Sequence, residues 1–202
     1  MDLGRQPYRQ TWELQKQVLA ERIQGAGEDT LLLVEHEPVF TLGRARSSLQ
    51  HVLDPGDAEV IQIERGGDVT WHGPGQLVVY PIVALPPGRQ DLHRHLSDLE
   101  QAVIDTCADF GLETGRNERN TGVWVGDRKL ASIGIHCRRW VTWHGLALNV
   151  APDMAWFDRI VACGLEGVRM TSLAEQLSSG CPDMHQVKGC IVTHLQRLLP
   201  SP

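Results

Sequence analysis

Apolar residues recur every three or four positions in three parts of the chain, which is the spacing of one face of an α-helix. The first stretch covers residues 6–23 and is followed by Gly25 and Gly27, which favour a helix end. The second begins after Asp91, a good N-terminal cap, and ends at Gly111. The three predicted stripes are Tyr8, Trp12, Leu19 and Ile23; Leu92, Leu96, Leu99, Val103, Cys107 and Phe110; and Val187, Ile191, Leu195 and Leu198.

Short apolar runs between these helices predict β-strands. Pro81 lies inside one run and, because it lacks an N–H, should keep part of that strand off a central ladder position. Gly126 and Asp127 join two runs at the spacing of a two-residue hairpin, with glycine first as a type II′ turn favours, so that Lys129 would start the second strand. The predicted strands cover residues 31–34, 60–64, 77–85, 123–125, 130–135 and 140–150.

The connections between these strands indicate the fold class. Some neighbouring strands are joined by short turns and others by helices, which favours a mixed sheet over a doubly wound parallel one. The sequence therefore predicts an α/β fold of α+β character, with helices flanking a mixed β-sheet. At 202 residues and 42% hydrophobic content, the chain fits one globular domain over residues 1–202.

Charge and cysteine content exclude several classes of protein. The net charge of −6 is spread along the chain, and no run of basic residues is longer than a pair such as Arg138 and Arg139. A nucleic-acid partner is therefore not expected. No apolar run reaches the roughly 18 residues of a membrane helix, and the start lacks a signal-peptide pattern, so we expect a cytoplasmic protein without a membrane partner. Five cysteines without a C-x-x-C pair fit neither a disulfide framework nor a structural zinc site. One thiol at least is left free to react.

A glycine-rich segment at residues 65–76 lies between two predicted strands. It contains four glycines, a proline, Arg65 and His72. Glycine lets a ligand approach the main chain closely, and exposed N–H groups in such a loop can bind an oxyanion or a carbonyl. A tight structural turn with a surface histidine is the alternative. Neither nucleotide-binding fingerprint fits, so the loop predicts a pocket without specifying a reaction.

Four other positions are candidates for chemistry. Cys163 directly precedes a glycine in a segment typical of an exposed loop, where a nearby cation would make its thiol a nucleophile. Lys129 is the one charge in a small, apolar strand and would matter only if that strand carried it into a pocket. His144 and Asn149 are polar interruptions of another strand. The structural alternatives are a buried hydrophobic cysteine, a solvated lysine and a core histidine.

Taken together, these residues resemble one family, the lipoyl(octanoyl) transferases. The family pattern R-G-G-x-x-T-aromatic-H-G-P-G-Q stands at residues 65–76, and its C-G pair stands at residues 163–164. Two further motifs, around a lysine and around H-G-x-A-L-N, stand at residues 129–134 and 144–149, with smaller agreement at residues 37–44. Two departures are Trp71, where tyrosine or phenylalanine is usual, and Ala162, where proline is usual. A larger ring at residue 71 could shorten or reshape the pocket.

The resemblance implies a fold, a reaction and a set of site residues. The fold is that of biotin and lipoate protein ligases, and the protein would be a monomer that needs neither cofactor nor metal. Cys163 would take the octanoyl group from octanoyl-acyl carrier protein as a thioester, and Lys129 would activate that thiol and shuttle its proton. The acceptors would be lysines of lipoyl domains in 2-oxoacid dehydrogenase complexes and of the glycine cleavage H protein. The implied acyl pocket comprises Arg65, Gly66, Gly67, Asp68, Val69, Thr70, Trp71, His72, Ser132, Ile133, Gly134, Gly145, Leu146 and Ala147, supported by His144 and Asn149.

Three other functions are compatible with parts of this pattern. An ATP-dependent lipoate or octanoate ligase of the same fold is the main alternative, although the sequence contains no lysine cluster or G-R-G-R-x-G loop for an adenylate. A non-catalytic binder of lipoyl domains would not need Cys163 and Lys129. A metal site would have to use His93 and His95, which a helix points in different directions.

Overall fold

The computed structural model describes residues 1–45, 48–118, 120–161, 167–178 and 180–199. Its helices are α1 (Tyr8–Ile23), α2 (Leu92–Asp109), α3 (Leu173–Gln176) and α4 (Met184–Leu198), with 3₁₀ turns at Ser48–His51 and Met154–Arg159. Its strands are β1 (Asp2–Gln6), β2 (Thr30–His36), β3 (Val39–Leu42), β4 (Glu59–Gln62), β5 (Thr70–His72), β6 (Gln76–Ile82), β7 (Gly122–Val125), β8 (Arg128–Arg138), β9 (Val141–Asn149) and β10 (Arg169–Met170). No helix in these ranges is long and apolar enough to cross a bilayer.

The larger sheet runs in the order β1-β2-β6-β9-β8-β10, with β7 also paired to β8. β1 is parallel to β2 and β10 is parallel to β8, whereas β2, β6, β9 and β8 are antiparallel neighbours. The predicted mixed sheet is therefore confirmed. A smaller sheet in the order β4-β3-β5 lies beside it, and sequence reasoning had treated β5 as part of a loop.

The three predicted helices form where the apolar stripes indicated. The Asp91 side chain caps α2 by accepting hydrogen bonds from the N–H groups of His93 and Arg94, and Gly111 follows the helix with φ +77°. Helix α4 begins with a capping box between Asp183 and Gln186. These caps satisfy N–H groups that the first helical turn leaves without partners.

The helices cover the larger sheet from its two faces. Helix α1 packs on β6 and β9, while α2 packs on β7, β8 and β9 and also against α4. The core beneath α2 and α4 includes Leu77, Val79, Leu99, Val103, Leu148, Val187, Ile191 and Leu195, and the core beneath α1 includes Leu19, Leu32, Val34, Val78 and Ile82. The predicted arrangement of helices flanking a sheet is confirmed.

Pro81 interrupts the sheet as its missing N–H requires. Strand β6 pairs with β9 only as far as Val79, and contact between the two resumes at Ala84. Pro81 falls in this gap but still pairs with Leu31 of β2 on its other side. In the continuing register Pro81 would face His144, where a φ of +58° bends β9. The bend places the middle of β9 beside the cavity described below.

Several boundaries differ from the prediction. The run predicted as residues 77–85 ends as a strand at Ile82, and the second hairpin strand starts at Arg128 rather than at Lys129. The hairpin turn itself is confirmed, because Val125 pairs with Arg128 and Gly126 has a φ of +57°. Strands β1, β3, β5 and β10 were not predicted, since strands of two to five residues carry little periodic signal.

Candidate active site

A cavity of about 230 Å³ lies where the glycine-rich loop meets β8 and β9. Lys129 and His144 lie in its wall, together with every residue of the implied acyl pocket except Trp71. Those residues come from three separate parts of the chain, so the fold brings the sequence motifs together. The cavity is also lined by residues that sequence reasoning did not single out, namely Tyr8, Ile63, Val78, Tyr80, Leu96, Asn120, Thr121 and Ile135.

The glycine-rich loop is fastened to its neighbours through backbone contacts. The N–H of Gly66 donates to the carbonyl of Ile135 at 2.9 Å, and the N–H of Arg44 donates to the carbonyl of Arg65 at 3.1 Å. A Cβ on Gly43 would lie 2.3 Å from the carbonyl oxygen of Gly67, so only glycine permits this approach. The loop is thus held against β8 on one side and the end of β3 on the other.

Trp71 faces away from the cavity, which corrects the expectation that it lines the acyl pocket. Strand β5 alternates its side chains, so Thr70 and His72 face the cavity while Trp71 points to the opposite side. There it stacks on Trp156 with ring centroids 5.6 Å apart and meets Phe157 edge-on at 5.4 Å. Its size therefore affects the cavity only through its neighbours on the strand.

His72 is held by hydrogen bonds at both ring nitrogens. Nδ1 lies 2.7 Å from Oε1 of Gln76, which can only accept, so Nδ1 carries the proton. Nε2 then accepts from Oγ1 of Thr41 at 3.2 Å. Burial lowers the pKa of His72 to about 3, with His36 nearby adding to the effect. His72 is therefore a neutral and rigid part of the wall at pH 7.

Asn149 supports this histidine from outside the cavity. It accepts a hydrogen bond from Nε2 of Gln76 at 2.9 Å, which fixes the amide that orients His72. Its own Nδ2 donates to the carbonyl of Thr171 at 2.9 Å, and the N–H of Thr171 donates to the carbonyl of Lys129 at 2.9 Å. This buried chain links the strand that carries His72 to the strand that carries Lys129.

Tyr8 and Tyr80 form a further part of the wall, with His36 behind Tyr80, and the sequence did not assign them to the site. Tyr8 stacks almost parallel to His72, with ring centroids 6.1 Å apart, and the Tyr80 hydroxyl lies 2.8 Å from Nε2 of His36. Burial lowers the pKa of His36 to about 4 and raises the pKa of both tyrosines. This end of the cavity is aromatic and uncharged. The periodic pattern placed Tyr8 on the apolar face of α1 but could not show that it meets Tyr80 and His36, because these residues come together only in the tertiary structure.

His144 occupies the bend in β9 and is 1% exposed. Its ring stacks on that of Trp143 with centroids 4.2 Å apart, and its backbone N–H donates to Oε1 of Gln15 at 3.1 Å. Burial lowers the pKa of His144 to about 3, and the positive charge of Arg65 contributes to the same shift. Nε2 lies 3.7 Å from a carboxylate oxygen of Glu64, but a neutral imidazole forms no ion pair there. The structure places His144 both in the core and in the cavity wall.

Lys129 is 2% exposed, so the solvated lysine considered from the sequence is ruled out. Its Nζ donates to Oδ1 of Asn120 and lies 5.5 Å from the ring centroid of Trp124. The hairpin carries the ammonium inward because the pairing of β7 with β8 shifts register between Val123 and Trp124. A buried ammonium in a cavity wall can exchange a proton with a bound group.

Gly122 and Glu100 shape the surroundings of Lys129 and were also missed. Gly122 has a φ of +145°, and a Cβ there would lie 2.5 Å from Cε of Lys129. The N–H of Gly122 donates to Oε1 of Glu100 at 2.9 Å, and Oε2 of Glu100 accepts from Nε of Arg116 at 2.9 Å. The signal in the sequence was a glycine directly before the apolar run of β7.

Cys163 lies outside the described residues. The chain is described up to Val161, whose N–H donates to the carbonyl of His51 at 2.8 Å, and again from Gly167. Met170 then pairs in register with Lys129. The cysteines that the structure describes do not line the cavity: Cys107, Cys137, Cys181 and Cys190.

Among the described residues, no group of three or more histidine, cysteine, aspartate or glutamate side chains could hold a metal ion. His95 is buried in α2, whereas His93 on the same helix is exposed. Burial lowers the pKa of His95 to about 4, with the charge of Arg89 adding to it. The two histidines considered for a metal site therefore occupy different environments.

Comparison with known proteins places the chain in a family. The family model described as lipoyl protein ligase A/B catalytic domain matches residues 7–196. An octanoyltransferase of Syntrophotalea carbinolica is 48% identical over 200 residues, covering 99% of this chain and 93% of that protein. An octanoyltransferase of Gloeobacter violaceus is 52% identical over 163 residues, covering 80% of this chain and 73% of that protein.

Solved structures share the fold at low sequence identity. A lipoate protein ligase of T. acidophilum with bound lipoic acid has a TM-score of 0.75 and 13% identity, covering 98% of this chain and 84% of that one. Lipoate-protein ligase A bound with ATP has a TM-score of 0.73 and 10% identity, covering 98% of this chain and 83% of that one. The chain belongs to the lipoyl protein ligase A/B catalytic domain family and, within it, to the lipoyl(octanoyl) transferases, which are acyltransferases.

Proposed function

We propose that this acyltransferase moves an octanoyl group from octanoyl-acyl carrier protein to a lysine of a lipoyl domain, through a thioester on Cys163. The acceptors are lipoyl domains of 2-oxoacid dehydrogenase complexes and the glycine cleavage H protein. The observation that carries the proposal is the match to octanoyltransferases along 99% of the chain, combined with a buried lysine in the wall of a largely neutral cavity.

In the first half of the reaction, the Cys163 sulfur attacks the thioester carbonyl of the donor. Its proton passes to the amine form of Lys129, the carbon–sulfur bond of the donor breaks, and the carrier thiol leaves with the proton from Lys129. A nucleophile and one proton shuttle are sufficient to move an acyl group from the carrier thiol to the Cys163 thiol. Neither ATP nor a metal takes part in this scheme.

In the second half, the amine of the acceptor lysine attacks the carbonyl of the acyl-enzyme. An amide bond forms, the bond between the carbonyl carbon and the Cys163 sulfur breaks, and the thiol regains a proton that Lys129 carries from the attacking amine. The position of Lys129 supports this role, because the residue is buried in the wall of the same cavity that the implied acyl pocket lines.

The character of the cavity wall supports an alkyl substituent as the group bound there. The histidines that line it are neutral at pH 7, and Gly134 and Gly145 pair across β8 and β9 without side chains. A Cβ on Gly145 would lie 2.2 Å from the carbonyl oxygen of Val79, so this strand position requires glycine. An alkyl chain buries apolar surface here without leaving a charged group unpaired.

Intact-protein mass spectrometry after incubation with octanoyl-acyl carrier protein, without ATP, tests the proposal. We expect a hydroxylamine-labile octanoyl adduct on the wild type and on Cys181→Ser, and none on Cys163→Ser. Cys181 is the matched control because its thiol is exposed and would collect adventitious acylation. An adduct that persists in Cys163→Ser would contradict the covalent scheme. Transfer that requires ATP and free octanoate would instead support the ligase function.

A further inference from the structure

Glu100 lies on α2, outside the cavity lining, yet its carboxylate contacts Gly122, the glycine that lies against the Lys129 side chain. Glu100 is only 8% exposed, and such burial is rare for a glutamate unless its carboxylate is paired. Oε1 accepts the N–H of Gly122, and Oε2 accepts Nε of Arg116, each at 2.9 Å. Arg116 is fixed in turn by the carbonyl of Ser97 at 3.0 Å. Arg116 therefore fixes one oxygen of the Glu100 carboxylate, and the other oxygen binds the first residue of β7.

Gly122 is the backbone against which the Lys129 side chain rests. A Cβ built on Gly122 would lie 2.5 Å from Cε and 3.2 Å from Nζ of Lys129. The main chain of Gly122 therefore forms one side of the channel that encloses the Lys129 side chain. Asn120, two residues earlier, accepts a hydrogen bond from the lysine Nζ. A shift of Gly122 would therefore move both the channel and the acceptor of the ammonium.

The N–H of Gly122 also needs a partner, because the residue is buried. A buried N–H without an acceptor is costly, and Glu100 supplies that acceptor from a rigid helix. Strand β7 consequently begins at a position set by α2.

We propose that Glu100 is a positioning residue for Lys129 and acts by holding Gly122. The inference rests on the proposed function, since Lys129 is the proton shuttle there. Glu100 contributes reach rather than charge, because the contact with Gly122 needs only an acceptor oxygen at the right distance. Arg116 restrains the carboxylate so that this oxygen stays aimed at the N–H.

Two substitutions separate reach from charge. Glu100→Asp keeps the carboxylate but is shorter by one methylene, so it loses contact with Gly122. We expect single-turnover acylation by octanoyl-acyl carrier protein to slow roughly tenfold, a factor within the range for a buried N–H left without an acceptor. Glu100→Gln keeps an acceptor oxygen for the N–H of Gly122 but turns an amide donor toward Nε of Arg116, so it should lose less of the rate than Glu100→Asp. The donor concentration that gives half-maximal rate should be unchanged in both variants.

A double-mutant cycle with Lys129→Ala shows whether the effect passes through the lysine. If it does, Glu100→Asp combined with Lys129→Ala is no slower than Lys129→Ala alone. Thr106→Val is the matched control, because it removes another buried hydrogen bond of α2, to the carbonyl of Ala102 at 2.7 Å, and should leave the rate unchanged. Melting temperatures of all variants are measured alongside.

The outcomes distinguish this inference from the proposed function. A normal rate in Glu100→Asp, or a larger loss in Glu100→Gln than in Glu100→Asp, overturns the positioning role. An equal further loss in the Lys129→Ala background also overturns it, because the effect would then be general. A normal rate in Lys129→Ala itself would instead contradict the proposed function.

Discussion

Replacing Gly122 by alanine is the most direct perturbation of the Lys129 environment. The added methyl group would lie 2.4 Å from the carbonyl oxygen of Ala131 and 2.5 Å from Cε of Lys129. Both distances are well below ordinary contact, and β7 and β8 cannot separate without losing their pairing. The residue also has a φ of +145°, a conformation that a side chain makes unfavourable.

The expected cost follows from these two effects. Overpacking of a well-filled interior destabilises by about 1–3 kcal/mol. The backbone conformation adds about 1 kcal/mol for a residue with a Cβ. The free energy of unfolding should therefore fall by about 2–4 kcal/mol, which lowers the melting temperature by roughly 5–15 °C for a chain of this size. Displacement of the ammonium should also slow Cys163 acylation about tenfold to a hundredfold, since general acid–base catalysis contributes at least that much.

Chemical denaturation and single-turnover acylation measure the two effects separately. Gly126→Ala is the matched control, because Gly126 also has a positive φ, of +57°, but has nothing within 4 Å of the position of an added Cβ. It should cost about 1 kcal/mol of stability through backbone strain alone and leave acylation unchanged. A folded Gly122→Ala protein with the wild-type acylation rate would refute the reasoning, as would an equal loss of rate in Gly126→Ala.

Three further predictions concern the cavity wall and the hydrogen bonds behind it. Lowering the pH from 7 to 4 should reduce the free energy of unfolding, because folding lowers the pKa of His72 and His144 to about 3 while the unfolded chain takes up protons near pH 6.5. The free energy of unfolding should fall by up to about 1.4 kcal/mol per histidine per pH unit. Urea titrations at several pH values check this, and a flat profile would contradict it. Tyr8→Ala should enlarge the aromatic end of the cavity and raise the relative rate with decanoyl and dodecanoyl carriers, whereas Tyr8→Phe should not; equal chain-length profiles would exclude Tyr8 as a limit. Asn149→Leu should destabilise the protein by about 2–4 kcal/mol, because Gln76 Nε2 loses one of its two acceptors and the Thr171 carbonyl loses the Asn149 donor inside the core. An unchanged denaturation midpoint would show that this chain of hydrogen bonds contributes little.

The sequence by itself determined much of this protein. Residue periodicity is a local property, so the three long helices, the two ends of α2 and the β7–β8 hairpin could be read from spacing and from Asp91, Gly111 and Gly126. The order of the four motifs indicated the family to which the chain belongs. The glycine-rich loop indicated a pocket, because such a density of glycine has few structural uses.

Only the tertiary structure decided which side chains meet. Trp71 stands among residues of the glycine-rich motif, yet strand alternation turns it away from the cavity, and the motif could not show this because β5 was not recognised as a strand. Tyr8, Glu100 and Asn120 come from different elements and reach the site through sheet pairing and helix packing. Such contacts depend on long-range register, which no short window of sequence contains.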